Sequence, residues 1–227
     1  MSSPTTSPAA HSPAANVPRF SYPTSGTINI LARSRSWVSI LFLLPAGIIA
    51  AGSPSWVARD SALDLACHTI GWTAFLAGAV LRWWATLYIG GRKTTELVTG
   101  GAYSFCRNPL YLGTFLMQLA VVFLLESLTL GVATLIVAAY YIGVTVTAEE
   151  RRLAGIYGAK FQEYVARVPR LIPSFRSLES PASHTIEVAG LRAELIRMLR
   201  WMWIPAACHL LNVAREQQWW TPLTNWP

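Results

Sequence analysis

Uncharged apolar runs alternate with short charged segments along this chain. Residues 36–58, 65–81, 108–125 and 127–148 carry no Asp, Glu, Lys or Arg over 23, 17, 18 and 22 residues. A helix needs roughly 20 mostly apolar residues to cross a bilayer core. The pattern therefore predicts four membrane-spanning helices, the second being the shortest. After Glu150 the period changes. Leu153, Ile156, Tyr157, Phe161, Tyr164, Val165 and Val168 recur at three- and four-residue spacing, with Arg151, Arg152, Lys160, Glu163 and Arg167 on much of the other face. This predicts an amphipathic helix lying on the membrane or capping the bundle, ended by Pro169 and Pro173. A last helix is expected over 191–216. Its uncharged core, 201–214, has 14 residues and contains Pro205. That is short for a crossing, so an interfacial or re-entrant helix is expected, anchored by Trp201, Trp203, Trp219 and Trp220. The predicted fold class is an all-α integral membrane protein with about four transmembrane helices plus cytoplasmic amphipathic and C-terminal interfacial helices.

Residues 1–28 are rich in Ser, Pro and Ala and read as a disordered tail without the early apolar stretch of a signal peptide. Residues 29–173 form one transmembrane unit, 174–190 a polar linker, and 191–227 the C-terminal helix and tail. Lys and Arg counts alternate from loop to loop, which predicts that both termini are cytoplasmic. The third and fourth spans are joined by little more than Glu126 and Ser127. So short a connection forces an antiparallel hairpin. Arg107, Asn108 and Tyr111 are then carried towards Glu149 and Glu150. Ala139 and Gly143 offer a small-residue face for close helix packing.

Composition supports the membrane reading. Charged residues make up 13% of the chain, against about 25% in soluble domains, and the mean hydropathy is +0.38. The net charge of +7 does not point to nucleic acid, because the basic residues flank apolar runs rather than forming a stripe. Cys67, Cys106 and Cys208 fit neither a zinc spacing nor a disulfide framework. Cys67-His68 and Cys208-His209 are adjacent pairs, and neighbours on a helix point in different directions; no metal is expected.

Several residues could carry chemistry. Asn108-Pro109 reads as a helix start, whose free N–H groups favour a carboxylate, or as a plain cap. Gly100-Gly101 permits close approach to a ligand or simply makes a turn. Tyr103 and Tyr111 could stack on an adenine ring or face a sulfonium through cation–π attraction, or act as membrane-interface tyrosines. Arg107 could pair with Glu149 or Glu150 to hold the hairpin, and Arg82 could snorkel to the headgroups. No G-x-G-x-x-G sequence follows a strand, so a Rossmann nucleotide site is not expected.

Together these elements resemble a known group. Leu81-Arg82, Leu97-Val98-Thr99 with Gly101 and Tyr103, Arg107-Asn108-Pro109-Leu110-Tyr111-Leu112-Gly113, Glu149-Glu150, Tyr157-Gly158, Tyr164, Val168-Pro169-Arg170 and Ile172-Pro173 stand in one order. Over residues 80–173 the chain resembles the membrane-embedded isoprenylcysteine carboxyl methyltransferase and phospholipid methyltransferase superfamily. The resemblance implies S-adenosylmethionine as methyl donor, held by Thr95, Glu96, Leu97, Val98, Tyr103, Asn108, Pro109, Leu110, Tyr111 and Glu149. It implies Arg107, Glu149 and Glu150 as the catalytic set. It also implies a lipophilic small-molecule or lipid acceptor taken from the bilayer at the cytoplasmic face. Oligomeric state is not legible. Two positions depart from the family pattern. Asn108 stands where the family has histidine, and Thr145 where the eukaryotic prenylcysteine enzymes have arginine, which argues against a prenylcysteine carboxylate as acceptor. Two other readings stay open. One is an NADPH-dependent membrane reductase of the sterol reductase type, with Arg92-Lys93 as a candidate for the ribose phosphate. The other is a non-catalytic membrane interaction protein.

Overall fold

The computed structural model describes residues 25–89, 96–179 and 188–223, and all regular structure among them is helical. Two long helices open the bundle, α1 (Ser25–Gly52) and α2 (Ala62–Ile89). A short α3 (Ala102–Phe105) precedes α4 (Pro109–Leu125). Next, α5 (Leu128–Tyr140) runs through a π-helical stretch, Tyr141–Val146, into α6 (Thr147–Tyr157). Then come α7 (Ala159–Arg167), α8 (Val188–Trp201) and α9 (Trp203–Glu216). Ser34–Gly52, Ala62–Ile89 and Leu128–Tyr157 are long and apolar enough to cross a membrane, while α4 is a shorter apolar helix. The second span is thus not the shortest, as the charge pattern predicted. The charge at Arg82 ends the apolar run but lies inside α2, where a buried partner tolerates it.

The α4–α5 hairpin is the tight one expected. Glu126 caps α4 in the left-handed region at φ 50°, and the Ser127 side chain accepts from Leu130 N at 3.3 Å to cap α5. The small-residue contact lies elsewhere than predicted. A Cβ on Gly143 would meet nothing within 4 Å, whereas one on Gly78 of α2 would sit 2.6 Å from the Gly113 carbonyl oxygen of α4. One on Gly113 would sit 2.5 Å from Arg82 Cγ. Only glycine lets these two backbones approach so closely. The expected amphipathic helix is broken in two at Gly158, whose φ of 51° ends α6. Phe161, Tyr164 and Val168 then bury the apolar face of α7.

The C-terminal helices pack along the bundle. α8 begins beside the end of α2, where Glu194 pairs with Arg82 at 2.9 Å. Trp201 packs on Phe75, Met117 and Ala120 midway along the bundle. Cys208 of α9 joins Ala46, Ala50, Leu124 and Leu125. Asn212 Nδ2 then donates to the Leu124 carbonyl at 2.8 Å, and Arg215 caps the last carbonyls of α1 and α4. At about 1.5 Å per residue, 188–216 extends about 40 Å. The pair crosses the whole bundle with a break at Met202, because Pro205 has no N–H to give the carbonyl four residues back. The start of α1, beside Tyr140, and the end of α9 therefore lie at opposite ends.

Candidate active site

Where α2, α6 and α8 meet the start of α4, the bundle opens into a cavity of about 720 Å³. Its floor is laid by the corner before α4. Asn108 is the residue before the helix, yet its side chain makes no cap hydrogen bond. Its amide donates instead to Glu150 Oε1 at 3.2 Å and to the Arg170 carbonyl at 3.2 Å. The first N–H groups of α4 are thus not consumed by a side-chain cap, and Pro109 and Leu110 present this helix start to the cavity. A helix N-terminus is a ready anion site.

The two adjacent glutamates differ in role. Glu150 is clamped by Arg107 Nε at 3.3 Å and Arg170 Nε at 3.2 Å and does not line the cavity. Glu150, expected in the catalytic set, thus ties Arg107 and Arg170 together beside the cavity. Glu149 does line the cavity, accepts from Tyr111 Oη at 3.1 Å, and has no ion-pair partner among the described residues. Arg107 lines the cavity too, held by Glu150 and by the Val165 carbonyl at 3.3 Å.

Glu96, Leu97, Val98, Tyr103, Asn108, Pro109, Leu110 and Tyr111 also line this one cavity. Thr95, and with it Arg92 and Lys93, lies outside the described residues. Thr145 is buried but does not line the cavity, so that position presents no group to a ligand. Tyr103 is 8% exposed, and its hydroxyl has no hydrogen-bond partner among the described residues. Leaving such a group unpaired costs about 1–3 kcal/mol, so the hydroxyl is placed for a ligand atom or water. Burial holds its pKa well above the usual tyrosine value, and it stays a neutral donor. Its ring is set by the neighbouring loop: Gly101 has φ 60°, and a Cβ there would sit 2.1 Å from the Tyr88 ring. Tyr164 Oη donates to the Tyr103 carbonyl at 2.7 Å. Residues 174–179, expected as loose linker, are zipped onto α3. Ser174 N donates to the Phe105 carbonyl at 2.9 Å and Gly101 N to the Glu179 carbonyl at 2.7 Å.

Several cavity residues went unnoticed in the sequence. Arg82 was expected to snorkel. It is 9% exposed, pairs with Glu194, donates to Thr114 Oγ1 at 2.7 Å and stacks 4.8 Å from the Trp201 ring. A charged residue within an apolar pattern was the available signal. Tyr141 faces Tyr111 edge-on at 6.1 Å. The π-helical stretch that positions it adds a residue to one turn, a local event that periodicity does not show. Glu194 and Arg197 enter from α8, and nothing local to them signals this.

An unpaired phenol, an unneutralised carboxylate, two aromatic rings and a helix N-terminus around one cavity suit a ligand carrying both a cation and a carboxylate. The comparisons agree in kind. Residues 65–160 match the family model described as phospholipid methyltransferase. The chain is 28% identical to a nickel-cobalt-cadmium resistance protein of Alcaligenes xylosoxydans xylosoxydans over 168 residues, 74% of this chain and 78% of that protein. It is 31% identical to the protein-S-isoprenylcysteine O-methyltransferase of Schizosaccharomyces pombe over 81 residues, 36% of this chain and 34% of that one. It is 37% identical to the methanethiol S-methyltransferase of Crocosphaera subtropica over 90 residues, 38% of this chain and 34% of that one. It thus spans about a third of each of these two enzymes. No solved structure matches the chain. Through its 65–160 segment the chain is similar to the phospholipid methyltransferase family, in keeping with the membrane methyltransferase motifs of its sequence.

Proposed function

We propose that this protein transfers a methyl group from S-adenosylmethionine to a small lipophilic or lipid acceptor at the cytoplasmic membrane face. The observation that carries the reading is the convergence of Tyr103, Glu149 and the start of α4 on one cavity. When bound, S-adenosylmethionine supplies an electrophilic methyl group on a positively charged sulfonium, with a neutral thioether as leaving group.

The chain's residues have the matching tasks. The N–H groups at the start of α4 receive a carboxylate. Glu149 balances positive charge in the cavity, and the Tyr103 hydroxyl donates a hydrogen bond. The faces of Tyr111 and Tyr141 line the space beside them and suit a cation. Glu150 and Asn108 hold Arg107 and the corner in register and do not touch the reacting atoms. Neither histidine nor cysteine lines the cavity among the described residues. The chemistry asked of the protein is alignment of a nucleophile with the methyl group and exclusion of water. Arg82, held by Glu194, and Ala193 of α8 form the wall that an acceptor meets.

Orientation follows from charge. Among the described residues the cavity end carries Arg35, Arg107, Arg151, Arg152, Lys160, Arg167, Arg170 and Arg176, while the other end carries Arg59 and Arg215. Positive residues stay inside, so the cavity faces the cytoplasm and the α8–α9 pair carries the chain to the opposite face. The two catalytic relatives are named for an isoprenylcysteine and a methanethiol; for this chain a thiol, carboxylate or amine acceptor is compatible.

The test is transfer of labelled methyl from S-adenosylmethionine by purified protein in nanodiscs, over lipophilic thiols, carboxylates and amines, phosphatidylethanolamine included. Label moving to one chemical class is the expected result. Binding of NADPH in place of S-adenosylmethionine would overturn the reading in favour of a reductase. Binding of S-adenosylmethionine without turnover on any acceptor would favour a non-catalytic role.

A further inference from the structure

At the end of the bundle away from the cavity, three side chains with metal-ligating atoms meet. Asp64 and His68 are four apart in the first turns of α2, so they share one face of the helix. Glu126 joins them from the left-handed cap of α4. A carboxylate oxygen of Asp64, an imidazole nitrogen of His68 and a carboxylate oxygen of Glu126 all lie within 4.8 Å of one another.

The second observation is Glu126 itself. It is 1% exposed. Its Oε2 accepts from Ser55 Oγ at 2.5 Å, but Oε1 is buried with no hydrogen-bond partner among the described residues. No arginine, lysine or histidine of the described structure forms an ion pair with it. A buried carboxylate oxygen without a cation is costly, and the neighbouring Asp64 carboxyl can relieve it only by sharing a proton, a place that a metal ion fills equally well. Arg59 contacts Asp64 at 3.3 Å, yet it also pairs with Glu216 and is partly exposed, so it can release Asp64 while keeping a partner.

We propose that Asp64, His68 and Glu126 bind one divalent transition-metal ion of the zinc, cobalt or nickel kind. One imidazole and two carboxylates make a three-ligand set with a fourth position for water. The imidazole separates the site from all-oxygen magnesium or calcium sites. Asp64 and His68 keep 14% and 27% of their side chains exposed, so an ion enters from the solvent at this end, while buried Glu126 fixes the inner ligand. The ion neutralises Glu126 and ties together three segments: the α1–α2 connection through Ser55 and Trp56, the start of α2, and the α4–α5 turn. It sits far from the cavity and takes no part in methyl transfer.

The test uses the full chain without a histidine tag, purified into nanodiscs and stripped with chelator. It is titrated with Co²⁺ alone and followed by visible absorption and calorimetry. Wild type is expected to bind one equivalent with a ligand-field spectrum. His68→Gln and Asp64→Asn are each expected to weaken binding by at least about tenfold, the lower edge of what even an outer-sphere change costs a metal site. Saturating Zn²⁺ should raise the thermal midpoint of wild type but not of His68→Gln. His68 is partly exposed, so its variant keeps the fold, which helical circular dichroism checks. No stoichiometric Co²⁺ binding by wild type, or equal binding by wild type and both variants, would overturn the site.

Discussion

At the cavity end, most carboxylates are spent on arginine. Glu150 holds Arg107 and Arg170, and Glu194 holds Arg82. Glu149 is left with one tyrosine hydroxyl. At the far end the balance reverses. Asp60, Asp64, Glu126 and Glu216 face only Arg59 and Arg215 among the described residues, and Glu126 has one serine hydroxyl. Each end thus keeps a carboxylate with no ion-pair partner among the described residues, Glu149 at one and Glu126 at the other. The cavity-end carboxylate borders an open space large enough for an organic ligand, as such pockets run to several hundred Å³. The far-end carboxylate is enclosed, with one oxygen each of two carboxylates and one imidazole nitrogen within 4.8 Å of one another. The surroundings of each carboxylate, rather than its presence, select what it can hold.

The largest expected effect comes from breaking the cavity end's deepest ion pair. Arg82→Ala leaves Glu194, 3% exposed, with Arg197 as its remaining partner, at a cost of about 3 kcal/mol, the low end for a broken buried pair. Thermal unfolding in detergent reads the loss, and an unchanged midpoint would show that α8 is not held as a wall. Gly113→Ala places a methyl 2.5 Å from Arg82 Cγ and 2.7 Å from the Gly78 carbonyl. Forcing α2 and α4 apart should cost about 1–3 kcal/mol, while Gly143→Ala on the open face should cost nothing measurable. The two glutamates at the start of α6 should separate cleanly. Glu149→Gln should weaken cofactor binding by at least about tenfold, or about 1.4 kcal/mol, with an unchanged unfolding midpoint. Glu150→Gln should lower the midpoint, by about 1 kcal/mol for a partly exposed pair, and affect binding less.

The last effect is one of pH. Burial pushes the Cys106 thiol from its ordinary 9.0 up to about 11. The folded protein therefore keeps the proton that the unfolded chain releases. This contribution to stability is complete below pH 9 and is lost as pH rises to about 11, by about 3 kcal/mol at most. Tyr103 and Tyr164 are also raised above their ordinary 10.0 by burial, so the loss steepens above pH 10. Cys106→Ala should lessen the fall in stability between pH 9 and 10 without abolishing it, because two further buried thiols remain, and should leave the steeper part. A profile unchanged by the substitution would mean that the thiol is not buried as described.

The cavity end was largely legible because its logic is local. A two-residue turn at Glu126-Ser127 between runs of similar length forces the start of α4 to meet the end of α5 and its continuation. Arg107, Asn108, Tyr111, Glu149 and Glu150 follow. The division of labour between the two glutamates was not legible, because it depends on the π-helical stretch and on Arg170. The far end was hidden by distance in sequence: Glu126 lies 62 positions after Asp64. The four-residue spacing of Asp64 and His68 is visible in the sequence, but nothing local to it brings Glu126 alongside. The crossing by α8 and α9 was hidden by their polar residues. Glu194, Asn212 and Arg215 broke the apolar run, yet each is satisfied inside the bundle, by Arg82 or by carbonyls at helix ends.

Calorimetric titration of S-adenosylmethionine into the purified protein in nanodiscs, for wild type, Glu149→Gln and Glu150→Gln side by side, tests the central claim most directly. The account predicts one equivalent bound by wild type, the largest loss of affinity at Glu149, and NADPH unable to compete. Absence of binding by folded wild type, or equal affinity in wild type and Glu149→Gln, would contradict it.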